Sequence, residues 1–104
     1  MEYKEEKYEV EFTEECISEI ESIYEYISTN LLASKSAREL LKTVNKKVLN
    51  LTEEPEMYMK IGKADKLKRE YHRLVVKNYI VLYTIDYEKK KVYISRMIYG
   101  KRNY

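Results

Sequence analysis

The sequence contains few of the residues that mark several classes of protein. Of its 104 residues, two are glycine, one is proline, one is cysteine and none is tryptophan. So few glycines and prolines exclude collagen-like chains, flexible linkers and β-sandwiches with many turns. The single cysteine, Cys16, cannot form an internal disulfide, and His72 is the single histidine. This composition argues against a metal site, and we expect neither a metal nor another cofactor.

Segments that direct a chain to a membrane are not visible either. The first six residues are mainly acidic and contain no apolar run, which predicts that no signal peptide is present. The longest nearly apolar run, residues 79–85, is far too short to cross a bilayer. We therefore expect a cytoplasmic protein without a membrane partner. The length predicts one domain that spans residues 1–104.

Charge is distributed unevenly along the chain. Residues 1–59 contain 14 acidic and 7 basic residues, whereas residues 60–104 contain 4 acidic and 13 basic residues. A basic half of this kind favours a polyanionic or acidic partner, although it could also pair with the acidic half. Seven of the 12 tyrosines lie from Tyr71 onward, within the basic half. Tyrosines among cations can stack on nucleic-acid bases, but tyrosine is also a common strand residue.

The first half of the chain predicts a strand followed by two helices. Tyr8, Val10 and Phe12 alternate with charged residues, as in a half-buried strand, and Thr13 is placed to cap the first helix. We expect Ser34 or Ser36 to cap the second helix and Pro55 to end it. The short connection implies an antiparallel helical hairpin. Apolar residues spaced by three and four positions define the two helices: Ile17, Ile20, Tyr24, Ile27 and Leu31 in the first, and Ala37, Leu40, Leu41, Val44, Val48 and Leu51 in the second.

The second half predicts a basic loop followed by three strands. Residues 56–69 show no periodicity and are expected to be irregular. Residues 71–76, 79–85 and 92–99 are rich in β-branched and aromatic residues, and Lys77-Asn78 between the first two predicts a tight turn. The predicted order is β-α-α-β-β-β. The fold class is α+β, with a helical hairpin packed on a mostly antiparallel four-stranded sheet.

The basic, tyrosine-rich strands are the best candidate for chemistry. The sequence has no glycine-rich phosphate loop, no CxxC pair and no Ser-His-Asp arrangement. Metal-free RNA cleavage could use arginines to stabilise charge at the phosphorus and a tyrosine or lysine of shifted pKa to move protons. Alternatively, these residues are ordinary solvated strand ends. The candidates are Arg73, Arg96, Tyr99, Lys101, Arg102 and Tyr104.

Two segments resemble motifs of the RelE/ParE toxins. Residues 67–83, which include Arg73-Leu74-Val75-Val76-Lys77-Asn78-Tyr79, resemble the central hairpin of that family. Residues 92–104 resemble its C-terminal motif. Residues 23–27 and 51–55 fit its helical hairpin. The resemblance implies the toxin of a type II toxin–antitoxin pair, neutralised by a small cognate antitoxin. It also implies that the concave face of the sheet, together with the basic residues at the C-terminus, is the surface that acts on the target.

The resemblance leaves the target open between DNA gyrase, which ParE-like members poison, and the translating ribosome, on which RelE-like members cut mRNA. RelE-like members carry an arginine where this chain has Ile80, and relatives often carry a histidine where it has Tyr99. Arg73 lies near the position of a lysine that RelE-like members use, and Arg102 matches an arginine near their C-terminus. Our leading hypothesis is a ParE-like inhibitor of DNA gyrase. The alternatives are a RelE-like, ribosome-dependent mRNA endoribonuclease, and an antitoxin-binding module without target activity.

The hypotheses assign different roles to overlapping residues. For the endoribonuclease, the catalytic residues would be Arg73, Tyr99, Lys101 and Arg102. An acidic or amphipathic segment of the antitoxin is expected to cover the basic sheet and the helical hairpin. The residues expected to bind the target are Lys68, Arg69, Arg73, Arg96, Arg102 and Tyr104.

Overall fold

A computed structural model describes residues 7–63 and 70–100 of the chain. These residues form two α-helices and a five-stranded sheet, with a π-helical turn after the first helix and a 3-10 turn after the second. In chain order the elements are β1 (Glu9–Phe12), α1 (Glu14–Glu25), the π-helical turn (Tyr26–Asn30), α2 (Ser34–Leu49), the 3-10 turn (Asn50–Thr52), β2 (Met59–Lys63), β3 (Glu70–Val76), β4 (Tyr79–Asp86) and β5 (Lys91–Tyr99).

The predicted α+β fold, with a helical hairpin on a mostly antiparallel sheet, is confirmed, but the sheet has five strands rather than four. Its spatial order is β1-β5-β4-β3-β2, and only β1 and β5 pair in parallel. The additional strand, β2, lies in the segment expected to be irregular. It is an edge strand whose residues Met59, Lys60 and Ile61 are all exposed, and a bulge between Lys60 and Gly62 interrupts its register. Three consecutive exposed residues leave no alternating pattern in the sequence.

Thr13 joins β1, α1 and β5, and its predicted capping role is confirmed. Its Oγ1 accepts a hydrogen bond from the backbone N–H of Cys16 at 3.1 Å, which satisfies a free donor of the first helical turn. The same hydroxyl donates to the backbone oxygen of Ser95 at 3.1 Å. The backbone N–H of Thr13 donates to Ile94 at 3.0 Å. The start of α1 is therefore fixed directly to β5.

The limits predicted for α2 are wrong at both ends. Ala33, not Ser34 or Ser36, is the N-cap residue, and no side chain caps this end. The connection is closed instead by backbone hydrogen bonds, including Ala33 N–H to Ile27 oxygen at 3.0 Å. The helix ends at Leu49, well before Pro55. The backbone oxygen of Pro55 accepts a hydrogen bond from the Tyr83 hydroxyl at 2.8 Å, so this residue fixes the following loop to β4.

One hydrophobic core lies between the helices and one face of the sheet. Buried residues of α2 pack above the alternate, inward-facing residues of the strands. No helix of the described residues packs on the opposite face, which we call the open face; its residues include Arg73, Val75, Ile80, Leu82 and Ile98. The inward set comprises Leu40, Val44 and Val48 of α2, Leu74 and Val76 of β3, Val81 and Tyr83 of β4, and Val92, Ile94 and Met97 of β5.

The helices are short and amphipathic. Among residues 7–63 and 70–100, no helix has the length and apolar content needed to cross a membrane.

Candidate functional site

Arg73 lies on the open face, in a row that crosses the sheet. The strand register places it between Met59 of β2 and Leu82 of β4. Its side chain is half-buried, and Nη2 lies 3.9 Å from Sδ of Met59. Within the described ranges, no carboxylate forms an ion pair with this guanidinium. Arg73 therefore presents a cation among apolar neighbours.

The next row of the open face is entirely apolar. Ile80 pairs with Val75 on one side and with Ile98 on the other. Ile98 is buried, Ile80 is half-buried and Val75 is 48% exposed. This chain therefore has a continuous hydrocarbon strip next to Arg73.

Tyr99 lies on the other face of the sheet. It shares the side of Met97 and Val81, which face the core, and its ring meets that of Tyr79 edge to face at 5.7 Å. Burial, and to a lesser extent Tyr99, raises the pKa of Tyr79. Because successive side chains of a strand point to opposite faces, Arg73 and Tyr99 are separated by the thickness of the sheet. The structure does not bring these two candidate catalytic residues together.

The register places Arg96 opposite Leu82, in the same row of the open face as Arg73, and its guanidinium forms ion pairs with helix α1. Its Nε and Nη2 lie 2.7 and 2.6 Å from Oε2 of Glu19, and Nε lies 3.8 Å from Oε2 of Glu15. The other oxygen of Glu19 accepts the backbone N–H of Met97 at 2.9 Å. The pairing of β1 with β5 ends at Ile94, so β1 offers no acceptor for the Met97 N–H. The Glu19 carboxylate of α1 provides that acceptor instead. Sequence reasoning missed this role of Glu19, although Glu15 and Glu19 lie one helical turn apart.

Five of the predicted site residues cannot be placed. Lys68 and Arg69, and Lys101, Arg102 and Tyr104, lie outside the described residues. Their assignments remain predictions from the sequence.

A groove separates the end of the helical hairpin from the end of β5. Its volume is about 1040 Å³, and it is lined by apolar side chains from both elements, by Glu19 and Arg96, and by several serines and other polar residues. Tyr26 and Leu31 are 53% and 55% exposed, and Tyr99 is 40% exposed. Apolar surface of this kind, grouped around a concave site, is typical of a binding surface for another polypeptide.

The remaining reactive groups of the described residues offer little chemistry. No group of three or more His, Cys, Asp or Glu side chains within those ranges could hold a metal ion. Cys16 is fully buried, and burial, followed by the charge of Glu19, raises the pKa of its thiol to about 12. A thiol with that pKa stays protonated at neutral pH and is a poor nucleophile.

Comparison with known families identifies the chain. Residues 10–104 match the family described as the ParE toxin of the type II toxin–antitoxin system parDE. The match covers nearly the whole chain, so this protein belongs to the ParE toxin family. No curated protein sequence matches the chain closely enough to show a relationship.

Solved structures share the fold at low sequence identity. The chromosomal ParDE system of P. aeruginosa matches with a TM-score of 0.72 at 12% identity, over 93% of this chain and 100% of that one. The RelBE2 toxin–antitoxin complex of Mycobacterium tuberculosis matches with a TM-score of 0.61 at 21% identity, over 89% and 98%. The archaeal RelE–RelB complex of Pyrococcus horikoshii matches with a TM-score of 0.57 at 18% identity, over 93% and 99%. ParE-type and RelE-type toxins thus share this architecture.

Proposed function

We propose that this toxin inhibits DNA gyrase by binding to it, performs no chemistry of its own, and is neutralised by a cognate antitoxin. The observation that carries the proposal is the placement of Arg73 and Tyr99 on opposite faces of the sheet. A metal-free ribonuclease needs cations and a proton-transfer group around one phosphate. A protein that acts by binding needs only a suitable surface.

The open face has the properties of such a surface. Val75 and Met59 are 48% and 62% exposed, and Arg73 lies beside them with its charge not neutralised by a described carboxylate. An arginine surrounded by apolar side chains is a common centre of a protein interface. We infer that this face contacts gyrase, with Arg73 at its centre.

The direct test is supercoiling by purified gyrase with increasing amounts of toxin. Wild-type toxin should slow supercoiling, and Arg73→Glu should need at least about fivefold more protein for the same inhibition, since loss of a central arginine typically costs over 1 kcal/mol. Arg38→Glu makes the same charge change on the exposed surface of α2 and should inhibit like wild type. Full gyrase activity at a large excess of folded toxin would refute the proposal.

A second assay tests the ribonuclease alternative. Toxin added to a cell-free translation reaction should leave the reporter mRNA intact, because the described residues do not assemble a cleavage site. New 5′ ends that appear only while ribosomes translate would establish the RelE-like activity instead. Growth arrest on expression of the toxin alone would exclude the module without target activity.

We further propose that an amphipathic segment of a cytoplasmic antitoxin occupies the groove between the helical hairpin and β5. Solved relatives of this fold are complexes of a toxin with its antitoxin. Apolar side chains such as Tyr26 and Leu31 would supply most of the affinity, whereas the basic half of the chain would attract an acidic segment. Replacing both Lys101 and Arg102 with glutamate should slow association in a stopped-flow experiment. An unchanged rate at low salt would contradict the electrostatic part.

A further inference from the structure

The described part of the chain contains three methionines, and their surroundings differ. Met97 lies in the core and is only 1% exposed, whereas Met57 and Met59 are 46% and 62% exposed. Peroxides oxidise the sulfur of a methionine when they can reach it. Met57 and Met59 are therefore accessible to oxidation, and Met97 is protected by the core.

Met59 differs from Met57 in its neighbour. The strand register places Met59 opposite Arg73 on the open face, and Nη2 of Arg73 lies 3.9 Å from Sδ of Met59. Met57 precedes β2, and among the residues that the structure describes no side-chain donor contacts its sulfur. A thioether sulfur is a weak acceptor, so the contact between Met59 and Arg73 is weak while the methionine is reduced.

Oxidation would strengthen this contact. Hydrogen peroxide transfers one oxygen atom to a lone pair of Sδ while its O–O bond breaks. The thioether is thereby oxidised to a sulfoxide, and the peroxide is reduced to water. The product is polar, and its oxygen is bonded directly to Sδ. Because Sδ of Met59 already lies beside Nη2 of Arg73, rotation of this exposed side chain brings the new oxygen within hydrogen-bond distance of the guanidinium. Hydrogen bonds from a charged donor are among the strong ones.

We propose that Met59 is a site of reversible oxidation by peroxides, and that its sulfoxide binds the guanidinium of Arg73 and withdraws it from the open face. Two properties of that face then change together. The exposed apolar side chain beside Arg73 becomes polar, and the donors of Arg73 turn toward β2. Methionine sulfoxide reductases reverse the oxidation, so the change is a switch and not only damage. Its effect on gyrase rests on the proposed function, whereas the modification and its contact with Arg73 do not.

Peptide mapping and arginine NMR test the site without gyrase. The full chain is labelled with ¹⁵N-arginine, and the Nε–H signal of Arg73 is assigned by its loss in Arg73→Lys. After treatment with hydrogen peroxide, mass spectrometry of peptides should find sulfoxide at Met57 and Met59 and little at Met97. The Arg73 signal should shift in wild type and in Met57→Leu, but not in Met59→Leu. Circular dichroism verifies that each variant is folded.

Supercoiling by gyrase tests the consequence. Met59→Gln imitates the sulfoxide, because its side-chain oxygen is an acceptor at a similar distance from the backbone. Without peroxide, Met59→Gln should need about threefold more protein than wild type for the same inhibition, as expected for one exposed polar contact. Met57→Gln, the matched control, should inhibit like wild type.

Peroxide treatment, followed by removal of the peroxide, completes the experiment. Treated wild-type toxin should lose inhibition and regain it after incubation with methionine sulfoxide reductases. Met59→Leu, compared with its own untreated sample, should not change. An Arg73 signal unaffected by oxidation, sulfoxide at Met57 without any at Met59, or an equal loss of inhibition in Met59→Leu would overturn the proposal. If untreated wild-type toxin does not inhibit gyrase, the proposed function fails, and the Arg73 signal still decides whether the sulfoxide binds.

Discussion

Gly100 is placed where a side chain would collide with backbone. A Cβ atom at this position would lie 3.0 Å from the backbone oxygen of Asn78 and 3.3 Å from Cγ1 of Ile80. The Gly100 N–H donates to that same oxygen at 2.6 Å, so the end of β5 and the β3–β4 turn cannot separate without losing a hydrogen bond. This contact explains why a glycine follows β5.

Gly100→Ala should therefore destabilise the protein. Overpacking against a fixed backbone atom typically costs about 1–3 kcal/mol, which urea unfolding at neutral pH would measure. Lys77→Gly is the control in the same turn. Lys77 has a positive φ of 55°, which glycine adopts easily, so this variant should be at least as stable as wild type. An alanine variant as stable as wild type would show that the turn can shift freely.

His72 makes the stability of the fold depend on pH. Burial, followed by the charge of Lys60, lowers the pKa of His72 from its ordinary 6.5, whereas Glu56 and Glu70 act in the opposite direction. The unfolded chain therefore takes up this proton at a higher pH than the folded chain. The stability that the neutral His72 side chain contributes is fully present above pH 6.5 and is lost as the pH falls toward the pKa of His72 in the folded chain.

The change to measure is the free energy of urea unfolding between about pH 7 and about pH 5, where an ordinary histidine titrates. Wild-type toxin should lose stability toward the acid end. His72→Phe, which keeps an aromatic ring against Tyr83, should lose clearly less over the same interval. The same slope in both proteins would assign the pH dependence to other groups.

At the scale of the elements, the tip of the helical hairpin has an unfavourable conformation. Leu32 has a positive φ of 52° and a side chain that is 87% exposed. It follows the π-helical turn, and such turns occur frequently at functional sites. A leucine in this position gains little burial and adopts a backbone conformation that suits glycine, so its side chain contributes little to folding.

Leu32→Gly should separate stability from binding. The glycine relieves the backbone, so the midpoint of thermal unfolding should stay the same or rise. Affinity for the antitoxin, measured by calorimetry, should fall, because an exposed apolar anchor beside the groove is removed. Leu49→Ala removes another exposed leucine, at the far end of α2, and should leave affinity unchanged. A large loss of stability in Leu32→Gly would contradict this interpretation.

The sequence predicts elements well where periodicity and local chemistry agree. The apolar spacing of α1 and α2, the Thr13 cap and the Lys77-Asn78 turn each depend on neighbours within a few residues. The edge strand β2 depends on its pairing with β3, and the start of α2 is closed by backbone hydrogen bonds, such as that between Ala33 and Ile27, and not by a side-chain cap. Local sequence contains no signal for these.

The arrangement of the candidate site could not be predicted because of a register shift. Between β4 and β5 the pairing changes between Leu82 and Tyr83, so that Val92 and Ile94 face the core before the shift and Met97 and Tyr99 face it afterwards. Simple alternation along β5 would have placed Tyr99 on the other face. A shift of one residue reverses every side chain that follows it.

At the scale of the whole molecule, a single core unites the helices and the sheet. The cluster contains Cys16 and Ile27 from the first helical segment, Val44 from α2, and Leu74 and Ile94 from the sheet. A shared core predicts that the chain unfolds as one domain. Far-ultraviolet circular dichroism and tyrosine fluorescence should give coincident urea transitions. Two separate transitions would show that the helical hairpin and the sheet are independent units.

The parallel pairing of β1 with β5 cannot form until β5 has been synthesised. β5 lies inside the sheet, between β1 and β4, yet the ribosome makes it after every other described element. Until β5 is made, β1 has no partner strand and Glu19 has neither Arg96 nor the Met97 N–H to bind. A nonsense codon just before Lys91 therefore removes the β5 side of the groove, together with Arg96 and Ile98 of the open face. An unfinished copy therefore lacks one wall of the surface proposed here for the antitoxin.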